Sequence, residues 1–304
     1  MKKDLLKLLD LSGEDITDIL DLADQLKYEK KQGLKHHRLT GKTLAMIFEK
    51  ASTRTRVSFE AGMYQLGGHA QFLSGKELQL GRGESIQDTA RVLSRYVDGI
   101  MIRTFAQDDV EELAKYATVP VINGLTDFAH PCQILADLMT IREIKGRLDG
   151  IKIAYIGDGN NMANSIIVGG LKTGMRVSVA CPEAYRPHGE VMNFAGNSSY
   201  NDMFNLTSDP VVAAQEADVV VTDVWSSMGM ESEIEARKKA FKGYCVDKTV
   251  MKAANPSAMV LHCLPAHKGE EITEEVFEAH AGEIFEEAEN RLHAQKAILV
   301  KLLA

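Results

Sequence analysis

The chain has 304 residues, 45% hydrophobic and 26% charged, enough for two domains of ordinary size, each with its own core. A net charge of -8 argues against general attraction to nucleic acid or to an anionic membrane surface, so any anion site must be local. No window approaches the roughly 18 uncharged apolar residues of a membrane span.

The chain opens "MKKDLLKLLDLSG", where Lys7 and Asp10 interrupt the apolar run and no small-residue cleavage site follows; it reads as a first helix rather than a signal peptide. A helix capped by Ser12 follows, with Ile16, Ile19, Leu20, Ala23 and Leu26 on one face. Short apolar runs then alternate with helical patterns. The runs are "TLAMIFE" (43–49), "GIMIR" (99–103), "VPVINGL" (119–125), "IKIAYIG" (151–157), "VSVACP" (177–182), "DVVVTDV" (218–224), "YCVD" (244–247) and "AMVLHCL" (258–264). Among the helices, "GESIQDTARVLSRYV" is capped by Ser85 with Asp88 three residues on, and one from Pro131 to Lys145 bridges two halves. This alternation predicts an α/β protein with two doubly wound parallel-sheet domains. The boundary is expected near 148–150, giving domains 1–149 and 150–289. The last helix, "NRLHAQKAILVKLL", has Leu292, Ala297, Ile298 and Leu302 on one side and is expected to pack back on the first half.

In open parallel sheets, ligands sit outside the carboxyl ends of the strands, and the unusual polar residues of this chain gather there. "STRTR" follows the first run, and its first residues should cap the next helix. Unpaired N–H groups, a helix dipole, hydroxyls and a guanidinium fork make a phosphate site, although no Walker loop is present. The plainer reading is a hydroxyl cap with two solvated arginines. Arg103 ends the second run. "HPCQ" puts Pro131 at the first helical position, so His130 and Gln133 aim past a helix N-terminus; His130 could equally serve only as the cap.

"GDGNNMANS" fails as a dinucleotide fingerprint, because Met162 takes the third glycine position; Asn160 and Asn161 suit an amino-acid head group instead. Asp223, at the end of a β run, is either a cleft carboxylate for an ammonium group or an ordinary cap. Cys263 follows His262, but adjacent strand residues point to opposite faces, which excludes a direct Cys–His pair. Trp225 reads equally as core or as cleft lining. The four cysteines, Cys132, Cys181, Cys245 and Cys263, form no CxxC pair or Cys/His ligand cluster, so neither zinc nor another metal is expected, and free thiols fit a cytoplasmic protein.

Taken as an ordered set, "STRTR", "HPCQ", "GDGNN", "DVWSSMG", "HCLP" and "EEAENR" closely resemble the transcarbamylases, specifically the ornithine carbamoyltransferases, from about residue 40 to residue 300. The resemblance implies a carbamoyl-phosphate domain, a Rossmann-like ornithine domain, interdomain helices, no cofactor and a homotrimer with sites at subunit interfaces. By motif position, Ser52, Thr53, Arg54 and Thr55 hold the phosphate, and Thr55, Arg103 and His130 the carbamoyl oxygen. Gln133 and the backbone at Cys263–Leu264 take the carbamoyl amino group, and Arg291 reaches the same substrate. Gln79 sits where the family uses a residue lent by a neighbouring subunit. Asn161, Asp223, Ser227 and Met228 bind ornithine. Arg54, Arg103, His130, Asp223 and Cys263 are the implied catalytic set, with the Cys263 thiolate or the phosphate itself accepting the amine proton. Aspartate, putrescine and N-acetylornithine enzymes, a nucleotide-binding Rossmann protein and a non-catalytic carbamoyl-phosphate binder are the competing readings.

Overall fold

The computed structural model describes residues 3–78, 83–226 and 231–304. Of the residues singled out above, Gln79, Ser227 and Met228 lie outside the described residues. The chain divides into two compact units, Met1–Met139 with Asn290–Ala304, and Thr140–Glu289.

The first unit holds a parallel sheet of β1 (Thr43–Phe48), β2 (His69–Ser74), β3 (Gly99–Arg103) and β4 (Val121–Leu125), in the order β2-β1-β3-β4. β1 and β3 are near-continuous apolar runs because helices cover both faces of the sheet. One face packs Ala45, Ile47, Ile100 and Ile102 against Ala90 of α3 (Ile86–Leu93) and Val110 and Leu113 of α4 (Gln107–Tyr116). α1 (Gly13–Lys31) begins with a full capping box between Ser12 and Asp15, and α2 (Thr53–Gln65) begins at Ser52. The C-terminal residues pack here too: the Lys296, Leu292 and Leu299 side chains close over Gly62, and Leu303 over Gly99.

The second unit holds β5 (Lys152–Ile156), β6 (Arg176–Ala180), β7 (Phe204–Thr207), β8 (Val219–Thr222) and β9 (Met259–His262), all parallel, in the order β7-β6-β5-β8-β9. Its helices follow the strands in turn. α5 (Pro131–Lys145) leads into the unit, and α6 (Asn161–Lys172), α7 (Gly189–Ala195) and α8 (Pro210–Ala214) precede β8. α9 (Ile234–Ala240), α10 (Lys248–Ala253), α11 (Glu274–Ala279) and α12 (Ala281–Leu303) complete the chain. α6 is buried from Asn161 to Leu171, and Gly170 lets it approach the sheet: a Cβ there would lie 2.7 Å from Val177 Cγ2.

In each sheet the winding reverses once, between β1 and β3 in the first unit and between β5 and β8 in the second. At such a reversal the two flanking connections leave in opposite directions, opening a crevice at the carboxyl ends. "STRTR" follows β1 and Arg103 ends β3; "GDGNN" follows β5 and Asp223 follows β8.

Three expectations fail. The opening residues are not a helix: Leu5 pairs with β4 through Leu5 N–H to Val121 O (2.9 Å) and Asn123 N–H to Leu5 O (2.8 Å), and only a short 3-10 turn, Leu8–Asp10, follows. "YCVD" is not a strand. Val246 makes one isolated bridge to Ile272, and Asp247 caps α10 by accepting from the N–H groups of Thr249 and Val250. Tyr244 and Val246 are buried in the core of this unit as loop. Strands β2 and β7 were not anticipated, because both are sheet edges whose half-exposed residues carry no apolar run.

Candidate active site

In the first unit, Ser52 is the N-cap of α2, its hydroxyl accepting from Thr55 N–H at 3.2 Å. The Ser52 hydroxyl also lies 3.1 Å from Thr55 Oγ1. Thr53 and Arg54 are exposed at the same helix start, while Thr55 is buried. The second arginine of "STRTR" is committed elsewhere: Arg56 stacks over Phe72 at 3.8 Å and bonds Glu60 at 3.0 Å. His130 accepts the first turn of α5 through its carbonyl, from Gln133 N–H at 3.1 Å. Arg291 is the hub that joins these pieces. Its Nη2 donates to Thr55 Oγ1 at 3.2 Å, its Nη1 donates to Gln133 Oε1, and the same Nη1 lies 3.5 Å from His130 Nε2. Gln133 in turn donates to Asp137 at 2.8 Å. Burial, then Arg291, Arg103 and Arg54, hold His130 well below the usual imidazole range, so its ring is neutral at physiological pH. The cluster is cationic through its arginines while His130 remains a neutral hydrogen-bonding group, an arrangement suited to a phosphate beside a polarised carbonyl.

In the second unit, Asp223 is 6% exposed just past β8. Its Oδ2 accepts from Asn160 Nδ2 at 3.0 Å, and its Oδ1 from Cys263 Sγ at 3.1 Å. Asn160 meanwhile caps α6, its Oδ1 taking Met162 N–H at 2.9 Å. Asn161 is the first residue of α6. The carboxylate is thus held at a fixed angle by two side-chain donors, the requirement for reading an ammonium group. Gly159 is needed by packing rather than by a nucleotide: a Cβ there would lie 2.4 Å from the backbone of Tyr185, Arg186 and Pro187.

The sequence profile of the aspartate/ornithine carbamoyltransferase carbamoyl-phosphate-binding domain matches residues 3–143, and that of the aspartate/ornithine-binding domain matches residues 149–302. The chain belongs to the aspartate/ornithine carbamoyltransferase family. An ornithine carbamoyltransferase of Oceanobacillus iheyensis is 54% identical over 99% of this chain and 94% of its own length. A Pyrococcus furiosus protein named ornithine carbamoyltransferase, anabolic, is 54% identical over 99% of this chain and 96% of its own. The solved structure of the ornithine carbamoyltransferase from Pyrococcus furiosus superposes with a TM-score of 0.94, at 54% identity, covering 99% of this chain and 96% of that one.

Against this family background, three groups emerge that motif reading passed over. Asn160, expected to meet an amino-acid head group itself, instead bonds Asp223 and caps α6. His262 accepts from Leu264 N–H through Nδ1 at 2.9 Å, so its proton is on Nε2, which donates to buried Glu271 at 3.1 Å. It therefore shapes the turn carrying Cys263 and Leu264, where Leu264 sits in the left-handed region at φ 61°. The third group is the buried pair of Asp158 and Arg237. Trp225 proves to be core, stacked on Phe241 with ring centres 5.9 Å apart. Among the described residues one group could offer a cation three ligands, His267, Glu270 and Glu271. Both its carboxylates are already engaged, Glu270 by Lys238 at 2.8 Å and Glu271 by His262.

Proposed function

We propose that the protein transfers the carbamoyl group of carbamoyl phosphate to the δ-amine of L-ornithine, giving L-citrulline and phosphate. The observation that carries this reading is the buried His130 beside Arg291, whose guanidinium also reaches Gln133 and, at the exit of β1, Thr55. The guanidinium charges of Arg54, Arg103 and Arg291 match a phosphate dianion, and a neutral imidazole can polarise the adjacent carbonyl. The Ser52–Thr55 turn takes the phosphate oxygens, Arg103 and His130 the carbamoyl oxygen, and Gln133 the carbamoyl amino group. Asp223 takes the α-ammonium of ornithine, which leaves the δ-amine as the reacting nucleophile.

The neutral amine attacks the carbamoyl carbon, a tetrahedral oxyanion forms against Arg103 and His130, and the C–O bond to phosphate breaks. The amine loses one proton, and the departing phosphate takes it, so the products are citrulline and hydrogen phosphate. Cys263 is not the acceptor in this scheme, since its Sγ is already placed as a donor to Asp223.

The carbamoyl-phosphate half is assigned to residues 1–149 with 290–304, and the ornithine half to 150–289. A homotrimer fits the exposed edge strand β2, which carries Phe72, and the exposed Val57 and Tyr64 of α2. A cytoplasmic setting fits four free thiols, and among the described residues no helix is long and apolar enough to cross a membrane. The anabolic name of the Pyrococcus furiosus relative supports the citrulline-forming direction. The test is to incubate the purified chain with carbamoyl phosphate and ornithine and quantify both products. Equal amounts of citrulline and phosphate support the proposal; phosphate release without citrulline would refute it.

A further inference from the structure

Arg237 of α9 is 6% exposed, yet it joins the two strand-end segments that carry the Asn160–Asp223 hydrogen bond. Its Nη1 donates to Asp158 Oδ2 at 2.9 Å and to the Trp225 carbonyl at 2.9 Å. Asp158 stands two residues before Asn160, and Trp225 two residues after Asp223. The Nε donates to Glu233 at 3.1 Å, and the guanidinium lies over the Tyr185 ring at 4.8 Å and the Phe241 ring at 5.9 Å. Nη1 thus holds a carboxylate and a carbonyl together while Nε holds Glu233 and the plane stacks on aromatic rings, a set of contacts that a lysine ammonium matches less well.

We infer that Arg237 is a positioning residue for the amino-acid substrate, fixing the turn after β5 and the exit of β8 so that Asn160 presents Asp223 at one angle. It acts through Asp158 and Trp225 rather than on the substrate. The inference rests on the reading of Asp223 as the anchor of ornithine. The tight seat of Gly159 on Tyr185–Pro187 supports it, because the same turn is then held from both sides. Removing Arg237 would leave Asp158 buried without its cation, and the turn would relax.

Steady-state kinetics of Arg237→Gln, Arg237→Lys and Asp158→Asn, with KM measured for each substrate and Tm alongside, test this. Arg237→Gln should raise the ornithine KM about tenfold or more, the scale expected when a reacting group is displaced by a fraction of an ångström to one ångström. The KM for carbamoyl phosphate should stay within about twofold, and Arg237→Lys should recover part of the loss. Asp158→Asn should raise the ornithine KM as well, and it carries the test with Arg237→Lys if Arg237→Gln does not fold. A lowered Tm with ornithine KM within about twofold of the parent would overturn the inference and leave a purely structural pair. Absence of ornithine turnover in the parent chain would instead overturn the underlying function, and this inference with it.

Discussion

Arg291 Nη2 donates to Thr55 Oγ1 across 3.2 Å, although 236 residues separate the two in the chain. The bond ties the C-terminal helix to the first turn of α2, and the same guanidinium reaches Gln133. Arg291→Met should therefore weaken carbamoyl-phosphate binding and lower stability together, the latter by about 1.5–3 kcal/mol for lost charged hydrogen bonds. Calorimetric titration with carbamoyl phosphate and urea unfolding would check the two effects.

The two arginines of "STRTR" should separate sharply. Arg54 is exposed at a helix start beside the Ser52–Thr55 turn, where a ligand can reach it, so Arg54→Ala should cut kcat by on the order of 10²–10³ with little change in Tm. Arg56 is taken up by Phe72 and Glu60, so Arg56→Ala should cost far less in kcat/KM. Parallel kinetics of the two variants would decide; equal losses would argue against a phosphate role specific to Arg54.

His130 is held neutral, which sets a pH signature. Its depressed folded value means that the unfolded chain takes up the proton more readily, so its contribution to stability is present above the ordinary imidazole range and lost as pH falls through and below it. Ring NMR signals of His130 should not titrate between about pH 6 and 8, the span in which an ordinary imidazole changes charge. A titration inside that window would contradict the arrangement.

Asp158 runs the other way. Burial raises its carboxyl to about 6, the nearby Arg237 only partly offsetting this. The folded state then holds the proton more tightly than the unfolded chain, so the contribution to stability is full below the ordinary carboxylate range, near 3.8, and is lost as pH rises through about 6. Asp158→Asn should remove that slope from urea-unfolding curves taken between these two values.

Much of this was legible from residue order. Buried parallel strands announce themselves as apolar runs, and the polar residues at their ends mark both reversals of winding. Edge strands such as His69–Ser74 were hidden because their exposed side chains look like loop. The role of His262 was hidden for another reason: it depends on Glu271, nine residues away, and on the backbone of a turn no local pattern encodes. Arg237 is a similar case, an unremarked residue in a charged helix until Asp158, 79 residues earlier, is seen beside it.

The most direct measurement is carbamoyl transfer with ornithine, putrescine, N-acetylornithine and aspartate offered in parallel, followed as carbamoylated product. The account predicts turnover with ornithine and little with the others: N-acetylornithine lacks the α-ammonium proposed to meet Asp223, aspartate lacks a second amine to react, and putrescine lacks the α-carboxylate. Preference for another acceptor would keep the phosphate half-site and contradict the second. No transfer to any of the four would leave a carbamoyl-phosphate binder and refute the proposed activity.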